Sequence, residues 1–344
     1  VTAPVSPGAL GGIPPAARIL VIRYSALGDV VLATSVLGPL RALFPAARIE
    51  WVTSPAYAPL LEGLPELAAV HQLARQGPDG PAALRARLRG RFDLAIDLQE
   101  KVKSGWLAWS AAPRRLHFHR RTVAEALLAL VGGDRPNVRG HATRQYAEVL
   151  APLGAAPPGP LRVVLSEGAR AAADGALRGA GDRPLVALAP GATWATKRWS
   201  PARFAEVGEA LHADGFGLVL CAGPGDAAAV AEFRAACRAP LAADLTPLKV
   251  DGMAATLARV RLLVACDSGP VHLASAVGTP ALALFGPTSA VRWGPPAPGR
   301  ALSLGLPCQP CSNHGGERCP LGHHRCLVDL GVDRVLTAAR ELLA

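Results

Sequence analysis

The residues best placed to do chemistry lie in residues 266–287, CDSGPVHLASAVGTPALALFGP. An apolar run of strand type, residues 261–266, is broken by Asp267-Ser268-Gly269-Pro270, and helical spacing follows over 271–277. Gly278 suits a helix C-terminus, Thr279-Pro280 stops the helix, and 281–285 reads as the next buried strand. This strand–turn–helix–strand order puts Asp267 at the carboxyl end of a parallel strand, where open α/β sheets bind ligands. Ser268 or Gly269 can cap the helix, and Pro270 is tolerated in its first turn. The amides of Ser268, Gly269 and Val271 and the positive end of the helix dipole then offer an anion site, which His272 can also face. The plain alternative is a capped helix in any α/β protein, with His272 satisfied in the core. A matching partner site elsewhere in the chain decides between them.

A second such turn lies near the start. RILVIR (18–23) is a buried strand candidate, and Tyr24-Ser25-Ala-Leu-Gly28-Asp29 follows it. Val30, Ala33, Leu37, Leu40 and Phe44 then recur at three- and four-residue steps, predicting one helix to about Phe44. Asp29 is therefore placed like Asp267, although a helix-capping carboxylate would look the same. FDLAID (92–97) is another strand, with Gln99, Glu100, Lys101 and Lys103 beyond its carboxyl end. Arg114, Arg115, His117, His119, Arg120 and Arg121 form a basic set, either a solvated surface or a pocket for carboxylate or phosphate, which arginine can hold bidentately.

Strand and helix signals alternate throughout, with strands at 49–53, 70–73, 185–189 and 217–221 and helices at 81–88, 123–131, 143–150 and 201–212. APLGAAPPGP (151–160) is the sharpest change of composition and marks an interdomain connection. The 344 residues, half of them hydrophobic and 18% charged, suffice for two globular domains. The expectation is a loose tail over 1–17, a first domain over 18–165 and a second over 166–331. The net charge of +10 favours acidic partners. Its arginines are scattered, and with three Tyr and seven Phe no stacking platform for nucleic acid is indicated. No apolar run reaches the roughly 18 residues of a membrane span, and the proline-rich start does not read as a signal peptide. A cytoplasmic protein is expected.

Four stretches together resemble glycosyltransferase family 9, which contains the lipopolysaccharide heptosyltransferases. They are RILVIRYSALGDVVLATSVLGPLR, DLAIDLQEKVKS, PGATWATKRWSPARFAEV and ACDSGPVHLASAVGTPALALFGPT, spanning residues 18–288. The resemblance implies a GT-B fold, two doubly wound Rossmann-like α/β domains facing across a cleft. The first would take the acceptor and the second a sugar nucleotide, with the final helix, 332–343, often returning to the first domain. It implies an inverting enzyme without an essential metal that transfers heptose from ADP-heptose to an acidic inner-core saccharide of lipopolysaccharide, at the cytoplasmic face of the inner membrane. Asp29 falls on the general base and Lys197 on the lysine at the donor diphosphate. Thr193, Asp226, Asp267, Ser268, Gly269 and His272 fall on the donor site. Ser25, Gly28, Gln99, Lys103 and Arg120 fall near the acceptor, with Glu100 where the family commonly has a small residue. A different nucleotide sugar would suit the same fold.

The cysteines stand outside this account. Cys308-x2-Cys311-x7-Cys319-x6-Cys326 could close a structural zinc site, although the second pair lacks zinc-ribbon spacing. Reduced packed thiols or a redox-linked pair are the alternatives. A metal-stabilised protein that binds sugar nucleotides as a sensor, without turnover, is the competing function, and the intact Asp29 and Lys197 argue against it.

Overall fold

The computed structural model describes residues 12–118, 140–154 and 157–344. Its chain divides into two compact units, one holding the described residues up to 118 with Ala142–Val164, the other built mainly from Leu165–Ala344. Arg120, and the helix expected over 123–131, lie outside the described residues.

In the first unit β1 (Arg18–Ile22), β2 (Arg48–Thr53), β3 (Ala69–Gln72), β4 (Leu94–Asp97) and β5 (Arg114–His117) form one parallel sheet in the order β3-β2-β1-β4-β5. Ile22 lies opposite Val52 on one side and Asp97 on the other. Ile19 to Ile22 are fully buried, so RILVIR is apolar without alternation because both faces of the strand are covered. Helices α3 (Pro81–Leu88) and α4 (Val102–Ala111) cover part of the sheet through Leu84, Leu88, Leu107, Ala108 and Ala111.

The single helix expected after β1 is broken. α1 (Leu27–Ala33) and α2 (Leu37–Leu43) are separated by a 3₁₀ turn, Thr34–Val36. The hydroxyls of Thr34 and Ser35 donate to the carbonyls of Val31 (2.6 Å) and Leu32 (2.7 Å), local bonds that compete with a regular helix. The break also serves the connecting segment: Arg162 N–H donates to Thr34 Oγ1 and Gly159 N–H to Ser35 O. α5 (Ala142–Glu148) completes this unit.

The second unit opens with α6 (Glu167–Ala176). It continues as β6 (Leu185–Ala189), α7 (Pro201–Ala213), β7 (Gly217–Leu220), α8 (Ala227–Ala236), β8 (Leu241–Asp244), α9 (Val250–Leu257), β9 (Leu262–Cys266), α10 (Gly269–Ala276) and β10 (Ala281–Leu284). After these come α11 (Ala290–Trp293), β11 (Arg300–Leu302), α12 (Arg325–Val328) and α13 (Val332–Leu343). The strands form a second parallel sheet, β11-β10-β9-β6-β7-β8. The final helix, α13, sits with this unit rather than with the first. Val335, Ala338 and Ala339 complete a core with Phe204, Leu211, Leu282 and Leu284, and Arg340 holds Asp214 through bonds of 2.8 and 3.0 Å.

Both sheets reverse their strand order once, between β1 and β4 in the first and between β6 and β9 in the second. Loops leaving such a pair diverge to opposite faces and open a crevice at the carboxyl edge. The four family stretches map onto β1, β4 and the end of β9 with the turns that follow them, and onto the turn after β6.

Val335→Ala should lower the stability of the second unit by about 2 kcal/mol, two methyl-sized groups plus a cavity. Native-state hydrogen exchange should show the loss in β6, β9 and β10 and leave β1 and β4 unchanged. Equal loss of protection in both sheets would contradict the assignment of α13 to one core.

Candidate active site

In the first unit the polar groups gather beyond β1 and β4. Asp29 lies in the first turn of α1, where unpaired amides favour a carboxylate. Its Oδ2 is 2.7 Å from Nη2 of Arg23, and its Oδ1 accepts the Tyr146 hydroxyl at 2.8 Å. Arg23 is 1% exposed, and its Nη1 donates to the Leu98 carbonyl. Burial works against its charge, yet Tyr146 and the Asp29 carboxylate outweigh it and hold the guanidinium above its ordinary pKa. The carboxylate is therefore oriented by two groups from other elements while its side chain stays 23% exposed. Such a group can accept a proton from a bound hydroxyl.

Gln99 is buried and turned into the β1–α1 turn. Its Oε1 accepts Tyr24 N–H (3.0 Å) and Ser25 N–H (3.1 Å), and its Nε2 donates to Ser25 Oγ (3.3 Å). It thus shapes the loop that carries Ser25 and Gly28 ahead of Asp29. Asp97 in turn accepts the Gln99 N–H at 2.9 Å. Glu100 has φ 54, the left-handed region that costs a glycine least. Lys103 is exposed on the first turn of α4. Arg115 folds back onto the carbonyls of Ala112 and Pro113.

In the second unit Lys197 ends a 3₁₀ turn after β6, and its Nζ is 2.8 Å from Oδ2 of Asp267 beyond β9. The Thr288 hydroxyl donates to the same oxygen at 2.5 Å. Asp267 is buried, so its carboxylate anchors the lysine from below. Ser268 is the N-cap residue of α10 and its hydroxyl donates to the Cys266 carbonyl, while Gly269 begins the helix. Of the three amides expected to meet an anion, that of Val271 is spent on Ser268 O at 3.2 Å. His272 is buried in α10 with its ring 6.4 Å from that of Trp293.

Thr193 is exposed on the β6 loop, which Arg198 braces by donating to Ala192 O at 2.7 Å. Asp226 turns inward, accepting Gly223 N–H at 2.8 Å and lying against Gly191 so closely that a Cβ there would be 2.1 Å from its carboxyl carbon. Only glycine fits at 191.

The loop bearing Lys197 is gripped by a segment far along the chain. Thr196 N–H and Oγ1–H donate to Gly316 O (3.0 and 2.8 Å), Gly316 N–H returns to Thr196 Oγ1 (2.8 Å), and His324 Nε2 bonds Thr196 O (2.8 Å). Gly315, at φ 89, lies flat on the lysine stem; a Cβ there would meet Lys197 Cγ at 2.8 Å. Arg23, Tyr146, Thr196, Thr288, Gly315 and Gly316 were not among the residues expected from sequence. The one local signal was a charged residue closing the apolar run RILVIR.

Cys308, Cys311, Cys319 and Cys326, which could hold zinc or remain reduced thiols, form no disulfide. Among the described residues no group of three or more His, Cys, Asp or Glu is arranged to hold a metal ion. Cys326 lies in the core of the second unit, and burial, with Cys311, Cys319 and Cys308 adding to it, pushes its thiol up to about 11. Cys266, buried at the end of β9, is pushed up to about 12, first by burial.

Comparison with known proteins follows the same lines. A family model described as glycosyltransferase family 9 (heptosyltransferase) matches residues 82–322. Lipopolysaccharide heptosyltransferase 1 of Pseudomonas aeruginosa is 31% identical, covering 94% of each chain. Among solved structures, a glycosyl transferase family 9 protein from Veillonella parvula aligns with TM-score 0.78 and 24% identity over 95% of this chain and 97% of the other. The E. coli ADP-heptose LPS heptosyltransferase II aligns with TM-score 0.71 and 24% identity over 95% and 98%. The fold is GT-B.

Substitutions at Gly191 and Thr196 test the packing of the second site. Gly191→Ala should cost about 1–3 kcal/mol in urea melts, and most of that should return in the double variant with Asp226→Ala. Thr196→Val should raise the rate at which Lys197 is acylated by limiting acetic anhydride about threefold or more, whereas Thr196→Ser should leave it unchanged. Peptide mass mapping reads the rate. Identical labelling in both variants would mean that Gly316 does not hold the lysine.

Proposed function

Because this chain belongs to glycosyltransferase family 9 and is a glycosyltransferase, we propose that it transfers heptose from ADP-heptose to an acidic inner-core saccharide of lipopolysaccharide, inverting the anomeric carbon and requiring no metal. The observation that carries the reading is the pair of oriented charges beyond the two strand-order reversals. They are Asp29, held by Arg23 and Tyr146, and Lys197, held by Asp267, which the Thr288 hydroxyl in turn bonds. The relatives' names supply the sugar and the acceptor class: P. aeruginosa lipopolysaccharide heptosyltransferase 1 and E. coli ADP-heptose LPS heptosyltransferase II.

In this reading the acceptor hydroxyl attacks the anomeric carbon opposite the diphosphate. The new C–O bond forms as the bond to the diphosphate oxygen breaks, and Asp29 takes the hydroxyl proton. Negative charge grows on the departing ADP, and Lys197 meets it with help from the start of α10, at Ser268 and Gly269. Thr193, Asp226, Asp267 and His272 complete the donor side, with Asp267 acting through Lys197. Ser25, Gly28, Lys103 and Arg120 meet the acceptor, and Gln99 sets the Ser25 loop. The acceptor is a glycolipid, so the enzyme works as a peripheral protein at the cytoplasmic face of the inner membrane.

Asp29→Asn keeps shape but removes the proton acceptor. It should lower kcat by roughly 10²- to 10⁴-fold while ADP binding stays within about twofold of wild type. Lys197→Ala should instead weaken ADP at least about tenfold and adenosine hardly at all. Wild-type turnover in Asp29→Asn at saturating substrates would remove Asp29 from the chemistry.

A further inference from the structure

Helix α4 buries Ser104, Leu107, Ala108 and Ala111 and turns the opposite stripe outward. Val102, Trp106 and Trp109 are 92, 45 and 62% exposed. Steps of four and three residues set them in one line along the helix. Two indoles and a valine left in water on a single line form a contiguous patch, unlike scattered surface apolar residues.

The rim of this patch is cationic. Lys101 and Lys103 are exposed on either side of Val102. α3 packs against α4 and lays the Arg85 guanidinium over the Trp106 ring, 4.0 Å from its centroid. Arg89 and Arg91 are exposed just beyond α3. No helix among the described residues is long and apolar enough to cross a membrane.

We propose that this face of α3 and α4 docks the protein on an anionic lipid bilayer. Trp106, Trp109 and Val102 would enter the headgroup layer while the lysines and arginines meet lipid phosphates. Indoles settle at the membrane–water boundary because one edge is apolar and the other can hydrogen-bond. A shallow apolar stripe is too small to hold alone, and basic residues at an anionic surface supply the remaining attraction. Charge complementarity selects this occupant: a second copy of the chain would bring the same cationic rim against itself. The proposal rests on the reading that the acceptor is a membrane glycolipid, and it names the surface that would carry the enzyme to it.

The test uses the full chain without sugar nucleotide or acceptor. It is sedimented with phosphatidylcholine vesicles and with vesicles in which about 30% of the lipid is phosphatidylglycerol. Wild type should bind only the anionic vesicles and leave them as salt rises from about 0.1 to 0.5 M. Trp106→Ser with Trp109→Ser should partition at least about tenfold more weakly at an unchanged melting temperature. Should that variant misfold, Arg89→Glu with Arg91→Glu gives the same comparison without touching the core. Equal partitioning by wild type and either folded variant, no wild-type binding to anionic vesicles, or a wild-type dimer that the tryptophan variant dissociates would each overturn the proposal. Assays of transfer separate it from the functional reading. The tryptophan variant should keep its rate on a delipidated saccharide and lose it on a vesicle-embedded acceptor. If wild type transfers heptose to neither, the functional reading fails while the vesicle comparison still decides the docking face.

Discussion

Parallel pairing is the constraint on which this molecule depends. With all strands of a sheet pointing one way, each crossover returns the chain to the amino edge, and the turns that can vary collect at the carboxyl edge. Apolar runs such as Ile19–Ile22 and Leu262–Cys266 are dictated by this, because strands covered on both faces have no side to give to water. The polar side chains of each unit are then displaced to one edge. There the reversal in strand order separates the neighbouring loops, and both units use that gap in the same way.

What they place there is charge taken out of water. Arg23 is almost wholly buried and Asp267 nearly so, and each is held by one opposite charge and by neutral hydrogen bonds. Desolvation makes such a pair weakly stabilising at best, and removal of one partner costs about 3–5 kcal/mol. The pairs are therefore better understood as devices for direction than for stability. Two rigid partners leave Asp29 one orientation, and Thr288 with Asp267 leaves Lys197 one reach. Groups so aligned need little rearrangement when charge moves in a reaction.

Much of this was readable from local pattern. The strand–turn–helix order around Asp29 and Asp267 and the strands beneath them follow from apolar runs broken by Gly, Pro and short polar residues. Distance along the chain limited the rest. Asp29 meets Tyr146 across 117 positions and Thr196 meets Gly316 across 120, separations that no periodicity spans. Gln99 could be placed at a strand end, but not seen to spend its amide on Tyr24 and Ser25. The single helix expected to Phe44 failed because the hydroxyls of Thr34 and Ser35 found carbonyls one turn back. The final helix went to the second core because its small apolar face matched α7 there.

The grip on Thr196 has a consequence for biosynthesis. β6 and β9, which frame the lysine and its aspartate, are complete by Cys266, and Thr288 follows soon after. The partners of Thr196 arrive only with Gly316 and His324. A ribosome-bound chain can thus own every charged group of the second site while the loop that aims Lys197 still lacks its outer wall. The alignment therefore waits until Gly316 and His324 have left the exit tunnel, and a chain stalled before them would carry the sheet and the charges without it.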